Sequence, residues 1–297
     1  MAVIIHGPSK TARNLFVTTC METSFAKLFP PLYLSDSEIE QIQKANSVVE
    51  NTEVTDEKTE FVKPVIKDED EPIELIEISG STFKGKMLIV KDPSRVKVAS
   101  PDVLGEDASG EKLLTMMKKK NAVAGINGGG FTDENGVGNG GQPLGIVLRD
   151  GVFIYGETCG PTNIVGLDDK NVLHVGTMSA AQAKERNLRD AVSFGPSLIV
   201  NSKPMKTVGS SGGLNPRTAI GQRADGAILL LVIDGRQPHS LGATYKDLVD
   251  VMVEHKAVNA GNLDGGSSSV LYYNDELIST CASLYGPRKI PNGFIVI

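Results

Sequence analysis

The sequence predicts an α+β fold with mixed or antiparallel β-sheets, built from hairpins with a few packed helices. Three observations predict it. The 297 residues include 32 glycines and no Trp, a load that implies many tight turns. Strand–turn–strand patterns outnumber strand–helix alternations, which argues against a parallel sheet with crossover helices. With 40% hydrophobic and 22% charged residues, most of the chain has the composition of an ordinary globular protein.

The elements follow in order. "MAVIIHGPSK" opens with a short apolar run, and "TARNLFVTTCMETSFAKLF" reads as a weakly amphipathic segment. The opening is far shorter than the roughly 20 apolar residues a bilayer crossing takes. It is either a plain start or the remnant of a membrane anchor. Ser35 or Asp36 caps a short helix, with Glu38 near its first turn. Residues 46–72 are charged, poor in apolar residues and interrupted by Pro64 and Pro72, so they read as a solvated acidic linker. The expected organisation is thus an N-terminal segment over 1–45, a linker over 46–72 and one domain over 73–297.

Within that domain "PIELIEI", "KMLIVKD" and "RVKVAS" are strands. "GEKLLTMMKKKN" is a helix whose basic end suits the C-terminal dipole. "AVAGI" is a buried strand running into a glycine-rich loop. Hairpins follow at "LGIVLRDGVFIYG", turning at Asp150-Gly151, and at "NIVGLDDKNVLHVG". "SAAQAKERNLRDA" reads as a helix. "PSLIVNSKPM" and "RTAIGQRADGAILLLVID" are further hairpins. "TYKDLVDVMVEHK" is the strongest helix, with Leu248, Val251, Met252 and His255 on one face. "SVLYYNDELIS" is a hairpin around Asn274-Asp275, and "GFIVI" closes the fold.

The net charge of −6 is uneven. Residues 46–77 carry −8, leaving about +2 for the rest, so the domain need not repel an anionic substrate. Cys20, Cys159 and Cys281 are far apart and form no zinc-type cluster. A Cys159–Cys281 disulfide is the one pairing weighed.

Gly136, Gly138 and Gly141 satisfy GxGxxG. A dinucleotide site needs that loop to run from a strand into a helix, and here it leads through Pro143 into a strand. More telling is where polar clusters sit. Asn127 follows "AVAGI", Asp234 and Arg236 follow "ILLLVI", Arg217 and Thr218 open "RTAIG", and Asn262 and Asp264 precede "VLYY". Strand ends are rigid, and adjacent glycine lets backbone approach a ligand. Any one of these pairs taken alone reads better as turn chemistry. Four together, with arginines among them, point to a site.

The stretch from Asn215 to Ile278, containing "NPRTAIGQ", "LVIDGRQ" and "GNLDGGSSSV", resembles the phosphodiester glycosidase family. "GINGGGF", "SFGPSLIV" and "RKIPNGFIVI" match further family motifs in the same order. The resemblance covers most of residues 73–297 and none of the first seventy. Gly130 stands before a single Phe131 where the family loop often has two aromatics in succession. The resemblance implies hydrolysis of a sugar-1-phosphodiester in cell-envelope or exopolysaccharide glycans, by an exported, membrane-anchored, extracellular protein. An oxocarbenium-like transition state calls for a carboxylate beside the anomeric carbon, with Asp264 the first choice and Asp234 the second. Arginine suits a clamp on the departing phosphate, which singles out Arg217, Arg236 and Arg288. Asn127, Asn262 and Asn292 would orient sugar hydroxyls or phosphate, with Thr218, Gly128, Gly129, Gly265, Gly266, Ser267 and Ser268 completing the set.

Other chemistries fit less well. Ser267 or Ser268 lacks a GxSxG elbow, and His239 reads as an exposed loop residue. His174 reads as structural and His255 as core. Asp133 and Asn135 with nearby carbonyls are candidate Ca²⁺ ligands, although no metal site is assigned. No basic and aromatic stripe suggests nucleic acid. The expected partner is a phosphorylated glycan, and a homo-oligomer is compatible with the sequence. The alternative function is a non-catalytic binding module for anionic cell-envelope glycopolymers.

Overall fold

A computed structural model describes residues 2–23, 26–49, 51–56, 72–133 and 136–297. The N-terminal segment is helical, with α1 (Ala2–His6), α2 (Lys10–Met21) and α3 (Asp36–Ala45), followed by β1 (Val48–Val49). Ser35 caps α3, and Glu38 completes a capping box. Ile5, Val17, Leu34, Ile39 and Ile42 form this segment's own apolar cluster. Among the described residues no helix is long and apolar enough to cross a membrane.

The rest of the chain contains β2 (Ile73–Ser79), β3 (Lys84–Val90), β4 (Val96–Ala99), α4 (Leu113–Lys119) and β5 (Ala124–Asn127). Next come β6 (Val147–Arg149), β7 (Val152–Tyr155), β8 (Thr162–Asp168), β9 (Leu173–Met178), α5 (Ala180–Glu185) and β10 (Leu188–Ser193). They are followed by β11 (Ser197–Val200), β12 (Lys203–Pro204), β13 (Lys206–Thr207), β14 (Arg217–Arg223) and β15 (Ile228–Ile233). α6 (Tyr245–Glu254), β16 (Ala257–Leu263), β17 (Leu271–Tyr273), β18 (Glu276–Leu277) and β19 (Gly293–Val296) close the chain.

A seven-stranded sheet has the order β12-β11-β16-β14-β15-β3-β2, and two five-stranded sheets have the orders β7-β6-β10-β8-β9 and β18-β17-β5-β19-β4. The pair β1–β13 stands apart. Every pairing among the described strands is antiparallel, so the fold is α+β as the sequence predicts.

β15 shows how the layers arise. Its six residues are all apolar and all buried. Side chains alternate between the two faces of a strand. Ile228, Leu230 and Val232 enter a central core shared by the three large sheets. Leu229, Leu231 and Ile233 enter a second core against Leu248, Val251 and Met252 of α6. Helix α4 covers the β5–β19 sheet in the same way, and α5 covers the β8–β10 sheet. The turns need left-handed backbone where the sequence places Asp150-Gly151 (φ 49° and 78°) and Asn274-Asp275 (φ 51° and 64°).

Three expectations change, and no disulfide forms among the cysteines. The helix expected over "SAAQAKERNLRDA" ends at Glu185. Asn187 takes a positive φ of 54°, and Leu188 starts β10, because that strand is needed between β6 and β8. His255 is the half-buried C-cap of α6, not a core residue. The three cysteines are free: Cys159 packs beside Ile146 and Met178, whereas Cys281 packs beside Leu113 and Val270, in a different cluster. Residues 46–49 and 51–56 of the expected linker lie on the domain. Val48 and Val49 pair with β13, and Thr55 exchanges hydrogen bonds with Val175. The remainder of the acidic run, 57–71, lies outside the described residues.

Candidate active site

The sheets bring the predicted strand-end clusters together. Thr218, near the start of β14, pairs with Leu263 at the end of β16. Asn127, at the end of β5, pairs with Gly293 at the start of β19. Asp264 is the first residue beyond β16, and it joins the two sheets. Its N–H donates to the Gly128 carbonyl at 2.9 Å, and its own carbonyl accepts from Asn127 Nδ2 at 2.6 Å. Asn127 Oδ1 accepts from Thr218 Oγ1 at 2.8 Å and from the Val270 N–H at 3.1 Å. A buried side chain with its bonds satisfied in this way fixes position firmly.

Glycine is required beside it. Gly266 has φ +62°, and a Cβ there would stand 3.2 Å from Arg236 Nη2. The backbone therefore turns sharply after Asp264 and runs close beneath the arginine. Gly266 N–H donates to the Pro216 carbonyl at 2.9 Å, which locks the turn against the segment leading into β14.

These elements enclose a cavity of about 260 Å³. Asp264, Gly265, Gly266, Ser267 and Ser268 form one wall, with Arg217, Arg236 and Asn215 beside them. Phe131, Asp133, Phe194 and Arg288 form another, and Tyr245 and Glu22 complete the lining. Burial pushes the Asp264 carboxyl up to about 6. Hydrogen bonds from the Ser268 hydroxyl and the Gly265 N–H, together with the charge of Arg288, pull it down, and Asp133 pushes it up.

The three arginines differ. Arg288 forms a two-pronged ion pair with Asp133, Nη1–Oδ2 and Nη2–Oδ1 both at 2.7 Å, and lies 5.0 Å over the Phe131 ring. Burial opposes ionisation of Asp133, but Arg288 and the Gly138 N–H hold it below its ordinary range. Arg217 lies 4.2 Å over the Tyr245 ring. Its Nε donates to the Ala243 carbonyl at 3.1 Å, and Nη2 donates to Gly212 and Gly213 carbonyls. Arg236, at φ 58°, donates from Nη2 to Asn215 Oδ1 at 3.0 Å. Burial and then the charge of Arg217 push its pKa down, although a guanidinium stays protonated regardless. Among the described residues neither Arg217 nor Arg236 has a carboxylate partner. Two adjacent cations facing one cavity make a place for an anion.

Other expected site residues have supporting positions. Asp234 is set back from the cavity, its Oδ1 accepting from the Thr280 N–H at 2.8 Å. It anchors a loop, and of the two predicted catalytic carboxylates Asp264 is the one at the cavity wall. Asn127, Asn262 and Asn292 hold backbone and do not line the cavity. Asn262 Nδ2 donates to the Gly195 carbonyl at 2.7 Å, and Asn292 Oδ1 accepts from the Gly129 N–H at 2.6 Å. Gly128 is buried under Asn292, where a Cβ would collide with Oδ1, and Thr218 serves Asn127. Asp133 does not suit Ca²⁺, because both its oxygens face the Arg288 guanidinium. Asn135 lies outside the described residues, among which no cluster of three or more His, Cys, Asp or Glu could hold a metal. His174 is buried against Asp168 at 2.9 Å, a structural pairing.

A profile described as phosphodiester glycosidase matches residues 120–297. The chain belongs to the phosphodiester glycosidase family. Membership in that family supports a glycosidase acting on phosphodiester-linked sugars. The chain is 32% identical over 169 residues to the SPbeta prophage-derived uncharacterized protein YomE of Bacillus subtilis (strain 168), a match covering 54% of this chain. It spans a quarter of that protein's length. The fold is similar to the catalytic domain of zebrafish N-acetylglucosamine-1-phosphodiester alpha-N-acetylglucosaminidase, described as auto-inhibited by its pro-peptide. That similarity has a TM-score of 0.63 and 21% identity, over 82% of this chain and 87% of the other. It is also similar to a Burkholderia pseudomallei K96243 protein described as a candidate exported protein, with a TM-score of 0.56 and 19% identity, over 72% and 74% of the two chains.

Sequence reasoning missed several lining residues of this cavity. Asn215 stands two positions before Arg217 in the same motif, so its neighbourhood was a usable signal. Tyr245 follows the Thr244 N-cap and reads as an ordinary first-turn residue. Phe194 adjoins the Gly-Pro motif. Glu22 carried no signal, since it belongs to a segment the family resemblance does not reach.

Proposed function

We propose that the protein hydrolyses a glycosyl phosphodiester, breaking the bond between an anomeric carbon and a phosphate oxygen in an extracellular or cell-surface glycan. The observation that carries this reading is the convergence on one cavity of Asp264 with Arg217 and Arg236, which have no carboxylate partner among the described residues. Bond breaking puts positive charge on the sugar carbon and negative charge on phosphate. The cavity offers a carboxylate for the first and two cations for the second. Fixed donors and acceptors aimed at developing charge need no reorganisation during reaction, and the Asn127 and Gly128 contacts supply that rigidity around Asp264. The sugar chemistry named for the zebrafish relative suggests an N-acetylhexosamine substrate. The description of the Burkholderia relative suggests export.

The test is incubation of purified protein with methyl α-N-acetylglucosaminyl-1-phosphate and methyl α-glucosyl-1-phosphate. Release of reducing sugar together with methyl phosphate is the expected result. Saturable binding without release would instead assign a binding module.

A further inference from the structure

The N-terminal helical segment lies outside the matched family region, yet it reaches the cavity. Leu214 N–H donates to Thr19 Oγ1 of α2 at 2.9 Å. A Cβ on Gly213 would collide with the backbone of Thr19, so helix and loop are in close contact. Asn46 Oδ1 accepts from the Ser210 N–H at 2.8 Å. Helix α2 and the end of α3 therefore clamp the 210–214 loop, whose Gly212 and Gly213 carbonyls receive the Arg217 guanidinium. Glu22, the C-cap of α2, lines the cavity beside Arg217, Tyr245 and Asp264.

Resting on the hydrolytic reading above, we propose that Glu22 is the second catalytic carboxyl of this site, exchanging protons on the phosphate side while Asp264 serves the sugar carbon. Three observations favour this role. First, among the described residues no hydrogen bond or ion pair anchors the Glu22 carboxyl. Its carboxyl is therefore not committed to holding the fold and is available to a bound substrate. Second, Glu22, Tyr245 and Asp264 line the same cavity, and the charges of both carboxyls raise the pKa of the Tyr245 hydroxyl. Third, the buried side of Glu22 raises its pKa although Arg217 lowers it, and a shift in that direction favours the protonated form a general acid needs. Glu22 is itself solvent-exposed on one side, which gives its proton a route to bulk water.

The step balances. Protonated Glu22 gives its proton to the phosphate oxygen as the C1–O bond breaks, its electron pair passing to that oxygen. Water then bonds to C1 and yields a proton to the Glu22 carboxylate, restoring the acid. The products are a reducing sugar and a phosphate monoester. A protonated Glu22 also spares the phosphate diester from meeting a like charge beside Arg217. The charged and titratable groups lining the cavity with it are Arg217, Arg236, Asp264 and the neutral Tyr245, together with the Asp133–Arg288 pair.

The experiment compares wild type, Glu22→Gln, Glu22→Asp and Glu22→Ala on the full chain, using the two methyl phosphodiesters above. General acid–base catalysis contributes about 10²–10⁴-fold, and phosphate is a good leaving group, so Glu22→Gln should lose roughly a hundredfold in kcat with KM little changed. Glu22→Asp should retain part of the rate, and formate should restore part of the Glu22→Ala rate. If Glu22→Gln also loses thermal stability, formate decides: rescue supports the proposal and its absence overturns it. A Glu22→Gln rate equal to wild type overturns the proposal while leaving hydrolysis standing. A faster rate overturns it too, and makes the segment an obstruction. Wild type inert on both substrates overturns the hydrolytic reading itself.

Discussion

Asn127 holds Asp264 by its main chain, Nδ2 to carbonyl at 2.6 Å, and leaves the carboxylate free to face the cavity. The two residues come from different sheets, so the contact ties the position of the charge to the packing of the fold. Asn127→Ala removes this bond and two bonds accepted by Oδ1. Leaving buried groups unpaired costs about 1–3 kcal/mol each, so a loss of several kcal/mol in unfolding free energy is expected by urea denaturation. In the fraction that folds, kcat should fall more than KM rises, because the misplaced carboxylate matters most in the transition state.

Asp264 should also set the acid limb of activity. A carboxyl at about 6 must be ionised to stabilise a sugar cation. The value of kcat/KM should therefore fall as pH drops through about 6, and kcat/KM reports the free enzyme. A flat profile between pH 5 and pH 7 would contradict that assignment.

Stability should move the opposite way. A folded-state pKa raised from 3.8 to about 6 means the group favours folding when protonated. That contribution is fully present below about 3.8 and is lost as pH rises through about 6. The displacement corresponds to about 3 kcal/mol. Asp264→Asn should thus have a higher thermal midpoint than wild type at pH 7.5, by several degrees at about 2–4 °C per kcal/mol. The gap should shrink as pH falls toward 4. Scanning calorimetry of both proteins across that range checks it.

Arg217 and Arg236 should separate by the kind of loss they show. Arg236 has one side-chain anchor, Asn215, so Arg236→Lys should weaken inorganic phosphate binding by about tenfold to a hundredfold, the equivalent of one charge-assisted hydrogen bond at about 1.5–3 kcal/mol. Arg217 also holds the carbonyls of Gly212, Gly213 and Ala243. Arg217→Lys should cost phosphate affinity and thermal stability together, measurable by titration calorimetry and a melting curve.

Much of this was legible in the sequence. Alternating or continuous apolar runs gave the strands, and Asp150-Gly151 and Asn274-Asp275 gave their turns. Asp264 could be singled out only because four strand-end polar clusters with arginines among them, and the family resemblance, pointed to one site. The asparagines were found but their roles were not: whether Asn127 bonds sugar or backbone depends on what β14 and β17 bring to it. Asp133 looked free for a cation because its partner, Arg288, is 155 residues away. Glu22 was invisible, since only the docking of α2 onto the 210–214 loop gives it a site to face.

The most direct test is the initial rate of sugar release from a glycosyl phosphodiester by Asp264→Asn, with the thermal midpoint taken on the same preparation and Asp234→Asn run beside it. Asp264→Asn should nearly abolish release while remaining folded and still binding phosphate. Asp234→Asn should stay near wild type, because Asn retains an oxygen to accept from Thr280. Release by Asp264→Asn at close to the wild-type rate would contradict the account, and so would abolition by Asp234→Asn in a folded protein.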